Sequence, residues 1–152
     1  MDTVKQAAVT DANQFIVVEL GAEYYGIDIS NVDNIVKMQS ITRVPKSQEY
    51  FNGVINLRGE IVPVMSLRRK FNLDDDEFTD KTRIIILKPE QQEPIGLIVD
   101  MVKEVVTLTE DNIEKISVDT KDDKAKYLNG VGKNGDILIS ILNIANVISD
   151  EQ

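Results

Sequence analysis

The sequence predicts an all-β fold, a barrel or a sandwich built from short strands. Many short runs are rich in Val and Ile and are separated by turn residues such as Gly, Asn and Pro. Few stretches show the apolar 3.6-residue period that a long helix requires. At 152 residues, the chain is long enough to bury a core within one domain.

Turn residues divide the chain into predicted strands and brief helices. The predicted strands, which are short and mostly rich in branched aliphatic or aromatic residues, are 14–20, 24–29, 35–38, 54–57, 60–65, 83–87, 95–99, 102–108, 127–132 and 137–141. The predicted helices, each next to a capping or turn residue, are 30–33, 47–51, 67–71, 109–112 and 142–148. Residues 1–13 are a predicted flexible N-terminal segment, and 119–126 a charged loop. No internal repeat and no interdomain linker is recognisable in the sequence.

Two dipeptides predict tight hairpins. Arg58-Gly59 is the only turn-like pair between two of these strands, so Arg58 is expected at the tip of a hairpin. Asn134-Gly135 is a strong hairpin signal between the last two strands. Pro63 cannot donate a ladder hydrogen bond, so its strand is expected to lie at a sheet edge or to carry a bulge there.

The amino-acid composition excludes several classes of function. The formal net charge of −9 disfavours nucleic acid and anionic membrane surfaces as partners, because both are bound through clustered Lys and Arg. The chain has no Cys and no His, which excludes thiol nucleophiles, disulfides, Ser-His-Asp triads and metal sites that use these ligands. No apolar run reaches the length of a membrane span or a signal-peptide core. We therefore expect a soluble, folded protein that is not an enzyme and has no cofactor.

Three glycines resemble a nucleotide-binding motif. Gly130, Gly132 and Gly135 match the G-x-G-x-x-G pattern of dinucleotide-binding proteins. That site requires a helix after the last glycine, with its N-terminus at the pyrophosphate. Residues 136–141 are Asp-Ile-Leu-Ile-Ser-Ile, which favours a second strand. A hairpin is therefore predicted here, and no nucleotide site.

Charged clusters are expected to be hydrated surface features. The acidic runs at 74–77 and 119–123 lack the ligand register of an EF-hand, so solvated loops are predicted. The basic cluster Arg68-Arg69-Lys70 is expected on a solvent-facing flank beside the first acidic run, with no role of its own.

The segment around Arg58 belongs to a longer motif. Residues 53–67 read Gly-Val-Ile-Asn-Leu-Arg-Gly-Glu-Ile-Val-Pro-Val-Met-Ser-Leu, and they resemble the G-V-x-N-L-R-G-x-I-x-P-V-x-x-L signature of the CheW family. Further similarity lies before this motif at 25–29 and 44–45, and after it at 96–100, Val102 and Val105, in the same order as in the family. The resemblance spans about residues 14–149, nearly the whole chain.

The resemblance implies a fold, partners and a location. The family fold is a pair of small SH3-like five-stranded β-barrels in one chain, with short helices including one at the C-terminus, here a single domain over 14–149. Members are non-catalytic adaptors that bridge the regulatory domain of the chemotaxis histidine kinase CheA and the cytoplasmic tip of chemoreceptors, the methyl-accepting chemotaxis proteins. A cytoplasmic protein recruited to membrane-associated signalling arrays is implied, without direct membrane binding.

The resemblance also implies a receptor-binding groove between the barrels. Its residues carry over to Val32, Asn34, Gly53, Arg58, Gly96, Val102 and Val105. Valines can receive the apolar stripe of a helical hairpin, glycines permit close approach, and Arg58 offers a directional polar contact. For each valine, packing in a core is an equally good interpretation. The family often has Glu at the position of Asn34, so a charge-assisted contact is lost there, and no kinase-binding residue is assigned.

Other functions make different predictions. A CheW-like regulatory module of a larger signalling protein would share every feature above. A nucleotide-dependent enzyme would use the glycines of 130–135. An oligonucleotide-binding barrel would need aromatic platforms in a basic groove, whereas this acidic chain has four Phe, four Tyr and no Trp.

Overall fold

The structure, a computed structural model, describes residues 12–45, 49–88, 93–115 and 123–149. Its strands are β1 (Ala12–Leu20), β2 (Glu23–Asp28), β3 (Val32–Lys37), β4 (Phe51–Leu57), β5 (Glu60–Ser66), β6 (Arg83–Leu87), β7 (Ile95–Val99), β8 (Met101–Thr109), β9 (Ile113–Lys115), β10 (Leu128–Asn134) and β11 (Ile137–Leu142). Its helices are α1 (Leu67–Lys70), α2 (Ile144–Val147) and the 3-10 segments Ile29–Asn31, Glu110–Asn112 and Asp123–Tyr127. None of the helices in these ranges is long and apolar enough to cross a membrane.

The chain divides into two compact units. Unit 1 is drawn from Met1–Val18, Ala22–Ile29 and Lys103–Gln152, and unit 2 from Glu19–Gly21 and Ser30–Val102. The sheet of unit 2 has the strand order β3-β6-β7-β5-β4, and the other sheet has the order β8-β1-β2-β11-β10-β9. Both sheets contain an antiparallel hairpin and a parallel pair, which is β5 with β7 in unit 2 and β11 with β2 in the other sheet.

Each unit has its own apolar core. In unit 2 the core cluster consists of Ile55, Val62, Val64, Ile84, Ile86 and Ile98, all at most 1% exposed. In unit 1 it consists of Phe15, Val17, Val106, Leu108, Ile139 and Ile141. Alternation along β4 and the first half of β5 places Ile55, Val62 and Val64 in the core, as expected for strands of branched aliphatic residues.

The two units repeat the same hairpin-and-helix segment, which the sequence did not indicate. Ser66 caps α1 by accepting from the Arg69 N–H, and Asn143 caps α2 by accepting from the Asn146 N–H. The backbone N–H of Ser66 donates to the Tyr50 carbonyl at 2.6 Å. In the same way, the N–H of Asn143 donates to the carbonyl of Tyr127 at 2.7 Å.

The strand registers of the repeat agree as well. A bulge follows Phe51 in β4 and Leu128 in β10, at equivalent positions before a glycine. In the parallel pairs, Val64 lies beside Gly96 and Ile141 beside Gly26. The fold therefore contains a repeat although none is recognisable in the sequence. The repeat is hidden in the sequence because β1 and β2 precede the rest of unit 1, whereas their counterparts β6 and β7 follow α1.

Most predicted strands are confirmed, and the differences are local. Strand β1 begins at Ala12, within the segment expected to be flexible. Of the predicted helix at 47–51, residues 47 and 48 lie outside the described residues, and Phe51 begins β4. The C-terminal helix is shorter than predicted, since Leu142 ends β11 and Asn143 is the cap of α2. Within 119–126, the part from Asp123 onward is a 3-10 segment.

The expectation for Pro63 is wrong in one respect. Strand β5 is not an edge strand, because it lies between β4 and β7. Pro63 is opposite Val54 in β4, and the pairing with β7 begins only at the following residue, Val64. Pro63 therefore lies just before the pairing of β5 with β7 begins. Its lack of an N–H removes no hydrogen bond between these two strands.

The glycine-rich segment forms the predicted hairpin. Gly130 and Gly132 lie within β10, and Gly135 is in the turn to β11 with φ +63°. Strand β11 follows directly. The segment therefore lacks the strand-to-helix geometry that a pyrophosphate site requires.

Candidate functional site

The tip of the β4–β5 hairpin presents Arg58. Leu57 pairs with Glu60, so Arg58 and Gly59 form a two-residue turn with φ values of 54° and 86°. Two positive φ angles are typical of the type I′ turn that matches strand twist. The Asn56 side-chain oxygen accepts a hydrogen bond from the Gly59 N–H at 2.9 Å. The Asn-Leu-Arg-Gly sequence therefore builds the turn locally, and it leaves Arg58 exposed.

Three of the predicted receptor-binding residues lie in one row across the sheet of unit 2. Asn34 in β3 is opposite Ile86 in β6, which is opposite Gly96 in β7. Gly96 is in turn beside Val64 in β5, which is opposite Gly53 in β4. The structure thus brings Asn34, Gly96 and Gly53 into register, although they are far apart in sequence.

Both glycines of this row have packing reasons to be glycine. A Cβ on Gly96 would lie 2.7 Å from the Ile84 methyl carbon and 3.3 Å from Val64, inside the core. A Cβ on Gly53, where φ is +143°, would lie 2.1 Å from the carbonyl oxygen of Thr42. Gly53 is therefore required by the close approach of the Thr42 backbone, which pairs with Val54.

Asn34 is at the edge of the same row and is only partly buried. Its carboxamide oxygen is shielded from solvent and has no hydrogen-bond partner among the described residues. Such an oxygen loses its hydration without compensation, which costs free energy. A partner that donates a hydrogen bond would satisfy it.

The remaining predicted residues are more widely spread. Val32 begins β3 and is half-buried opposite Leu87, and Val102 is half-buried in β8. Val105 is 50% exposed and belongs to unit 1. Arg58 is five residues along β4 from Gly53, about 16 Å from the row at the usual strand rise.

The basic cluster is not the solvent-facing flank that the sequence indicated. Arg68 donates to both carboxylate oxygens of Asp100, from Nε at 2.9 Å and from Nη2 at 2.6 Å. The Gly21 N–H donates to the same carboxylate at 2.8 Å. The guanidinium of Arg68, together with the Gly21 N–H, lowers the pKa of Asp100, and the hydrogen bond to Asp100 raises the pKa of Arg68. Lys70 is also buried, with its Nζ 3.9 Å from the ring centroid of Tyr50.

The acidic run is only partly a solvated loop. Asp76 accepts a 2.5 Å hydrogen bond from the Ser66 hydroxyl, and its other oxygen is buried without a partner among the described residues. Burial raises the pKa of Asp76, and the Ser66 hydrogen bond opposes that shift. Asp75 pairs with Arg69 at 3.1 Å. Position 76 is therefore packed against the start of α1 because Ser66, the cap of that helix, holds it there.

The described residues contain no cluster of side chains that is typical of a metal site. No group of three or more acidic side chains there is close enough to hold a metal ion. A cavity of about 860 Å³ in unit 2 has a mixed lining of Arg43, Val44, Pro45, Glu49, Phe51, Asn52, Arg69, Asn72, Leu73 and Asp75. No pattern in the sequence predicted this cavity or the Arg68–Asp100 pair, since both depend on residues from separate elements.

Known proteins resemble the chain over nearly its whole length. The model of the CheW-like domain matches residues 14–152. Chemotaxis protein CheW of Bacillus subtilis (strain 168) is 36% identical over 146 residues, which cover 96% of this chain and 92% of that protein. Chemotaxis protein CheW of Klebsiella aerogenes is 33% identical over 148 residues, with coverage of 97% and 89%.

A solved structure shows the same fold. The crystal structure of scaffolding protein TtCheW from Thermoanaerobacter tengcongensis is 36% identical, with a TM-score of 0.81 over 90% of this chain and 88% of that one. The predicted all-β fold of two SH3-like barrels is thereby confirmed, with a sixth strand, the short β9, added to one sheet. The chain therefore belongs to the family of CheW-like domains.

Proposed function

We propose that this protein is a non-catalytic chemotaxis adaptor that couples chemoreceptors to the histidine kinase CheA and helps to assemble their signalling array. The observation that carries the proposal is the family match over residues 14–152, together with relatives named chemotaxis protein CheW and a neighbour described as a scaffolding protein. The chain covers about nine-tenths of the length of these relatives, so the match extends over almost the whole of proteins named chemotaxis protein CheW.

The partners proposed are the regulatory domain of CheA and the cytoplasmic tip of a methyl-accepting chemotaxis protein. The receptor-binding residues proposed are Arg58, Val32, Asn34, Gly53, Gly96, Val102 and Val105. Arg58 is exposed at a rigid hairpin tip, where a guanidinium can pair with a carboxylate or a backbone carbonyl of a partner. Asn34 adds a shielded carboxamide oxygen that a partner's donor would satisfy.

The proposed location follows from these partners. An adaptor for receptor tips works in the cytoplasm and reaches the membrane only through the receptor. The net charge of −9 disfavours direct attachment to anionic lipid, which supports this arrangement. No residue of the proposed site has the acid–base or nucleophile geometry that catalysis requires.

The test is reconstitution with purified partners. The protein, the cognate kinase and a receptor cytoplasmic fragment should co-elute as a ternary complex, and the receptor fragment should then alter kinase autophosphorylation. Arg58→Ala should weaken receptor binding about tenfold, because hydrogen bonds to a charged group are worth roughly 1.5–3 kcal/mol. Arg43→Ala, which removes another exposed arginine of unit 2, is the matched control and should bind normally. Full receptor affinity after the Arg58 change would contradict the assignment of this site.

A further inference from the structure

Three of the eight glycines directly follow an asparagine, and this dipeptide is chemically reactive. The pairs are Asn52-Gly53, Asn129-Gly130 and Asn134-Gly135. The backbone nitrogen after an asparagine can attack the carboxamide of that asparagine, and glycine hinders the attack least because it has no Cβ. The local sequence makes all three pairs equally reactive, so the fold decides which of them reacts.

The first pair, Asn52-Gly53, is enclosed by the sheet of unit 2. Gly53 is buried, and a Cβ there would lie 2.1 Å from the carbonyl oxygen of Thr42. Two backbone hydrogen bonds of 2.8 Å between Thr42 and Val54 hold the chain directly after Gly53. The Asn52 carboxamide oxygen is itself shielded from solvent. The backbone rotation that brings the Gly53 nitrogen to the Asn52 side chain therefore requires this part of the sheet to open.

The second pair, Asn129-Gly130, is restrained through its backbone. The Asn129 side chain is exposed, but Gly130 is buried in an interior strand. Gly130 pairs with Ile141 in β11 and with Lys115 in β9. A Cβ on Gly130 would lie 2.7 Å from the carbonyl oxygen of Glu114, so β9 approaches this backbone closely. The same rotation here would displace a neighbouring strand.

The third pair, Asn134-Gly135, lies at the tip of the β10–β11 hairpin. Asn134 ends β10 and pairs with Ile137, so Gly135 and Asp136 form the turn. Gly135 is exposed with φ +63°, and a Cβ added there would have no atom of the described residues within 4 Å. Neither the Gly135 N–H nor the Asn134 side chain forms a hydrogen bond within the described ranges. Only the last pair of the ladder has to fray before the two groups can meet, and fraying at the end of an element costs little free energy.

We propose that Asn134 is a modification site at which the side-chain amide is lost by spontaneous deamidation, and that the fold protects Asn52 and Asn129. The Gly135 backbone nitrogen gives up its proton and forms a bond to Cγ of Asn134. The bond from Cγ to the side-chain nitrogen breaks, and that nitrogen leaves with the proton as ammonia. Water then opens the succinimide ring at one of its two carbonyl carbons, which gives aspartate or isoaspartate. No oxidant or reductant takes part.

Both products change the hairpin tip. Each adds one negative charge beside Asp136, on a chain whose formal net charge is −9. The isoaspartate product also inserts the side-chain carbon into the main chain at the residue that pairs with Ile137, which lengthens the turn. The reaction needs no partner, so this inference does not depend on the adaptor function.

The test is peptide mapping by mass spectrometry after incubation of the folded protein in mildly alkaline buffer. Trypsin separates the three pairs, because it cleaves after Lys46, Arg58, Lys126 and Lys133. The amide at position 134 should be lost more than about tenfold faster than the other two, which have to wait for the sheet to open. In guanidinium-unfolded protein the three rates should agree within about threefold, because the sheet no longer restrains any pair. An isoaspartyl methyltransferase should label only the peptide that begins at Asn134 in material incubated in the folded state.

Asn134→Gln and Asn129→Gln are matched variants, since each replaces an asparagine that precedes a glycine in β10. Glutamine keeps the amide, but its extra methylene would require a less favourable six-membered ring. Asn134→Gln should abolish most of the ammonia release by the folded protein, and Asn129→Gln should leave it unchanged. Asn129 is the more exposed of the two side chains, so a reaction governed by side-chain exposure alone would give the reverse order.

Either of two results would overturn the proposal. The first is loss of the amide at Asn52 or Asn129 as fast as at Asn134 in the folded protein, which would show that the sheet gives no protection. The second is loss at Asn134 only after unfolding, which would show that the turn holds the reacting groups apart. Both results come from the wild-type chain, so they do not depend on how well a variant folds.

Discussion

Replacing Asp100 by alanine removes the centre of a polar cluster that joins α1, the end of β7 and the β1–β2 turn. The carboxylate accepts two hydrogen bonds from Arg68, at 2.9 and 2.6 Å, and one from the Gly21 N–H at 2.8 Å. The two side chains of the ion pair are 17% and 28% exposed, so water replaces the lost partner only in part. Hydrogen bonds to charged groups contribute about 1.5–3 kcal/mol, and we expect Asp100→Ala to lower the free energy of unfolding by about 2–3 kcal/mol.

The measurement is urea unfolding monitored by circular dichroism, as a double-mutant cycle with Arg68→Ala. We expect a coupling energy of about 1.5 kcal/mol between the two positions. The effect also depends on pH. Because the folded pKa of Asp100 is lowered, its contribution is fully present above the unfolded value of about 3.9 and is lost as pH falls through the folded pKa. The stability difference between wild type and Asp100→Ala should therefore shrink progressively as pH falls below about 4 toward the folded pKa of Asp100.

A second ion pair of unit 2 is the control. Arg69 and Asp75 are 3.1 Å apart, but their side chains are 37% and 74% exposed. Asp75→Ala should cost less than about 0.5 kcal/mol, because exposed pairs are screened and hydrated. The reasoning is refuted if Asp100→Ala costs no more than Asp75→Ala, or if the coupling to Arg68 vanishes.

The remaining predictions concern stability at other positions. Burial raises the pKa of Asp76, so its ionised form is disfavoured in the folded state and any stabilisation from its neutral form is lost as pH rises through the folded pKa. Asp76→Asn, which keeps an acceptor for Ser66, should therefore raise the urea midpoint at pH 7 and lose this gain toward acid pH; a lower midpoint at pH 7 would contradict this. Gly53→Ala should destabilise by about 3 kcal/mol or more, because its Cβ would lie 2.1 Å from the Thr42 carbonyl oxygen. Gly59→Ala should cost only about 1–2 kcal/mol, since it has positive φ but open space; equal urea midpoints for the two glycine variants would be the contrary result.

Local features of the fold were readable from the residues alone. Branched aliphatic runs predicted strands such as β6 and β7, and Arg58-Gly59 predicted a hairpin tip, because each depends on neighbours along the chain. Element ends were less predictable: Phe51 joins β4 through pairing with Met65, a residue of another strand. The position of Pro63 in an interior strand likewise depends on where the β7 ladder begins.

For the candidate site, too, the sequence predicted the local features, and only the structure showed the contacts between strands. The motif around Arg58 placed that side chain at an exposed tip, and the structure agrees. The sequence could not reveal that the Thr42 carbonyl leaves no room for a side chain at position 53. Nor could it reveal that Ile84 and Val64 occupy the space beside Gly96. Both requirements are steric. They arise from atoms of other segments, which come close to these glycines only once the sheet has formed.

The sequence by itself determined that this chain is an all-β protein without His or Cys chemistry, with Arg58 at a hairpin tip and a family motif around it. Only the tertiary structure decided that the basic and acidic runs are partly internal. Arg68 donates a hydrogen bond to Asp100, which directly follows β7, and Asp76 accepts one from Ser66, the cap of α1. The reason is that a charged side chain is hydrated unless the fold supplies a partner, and partners from distant elements leave no pattern in the local sequence.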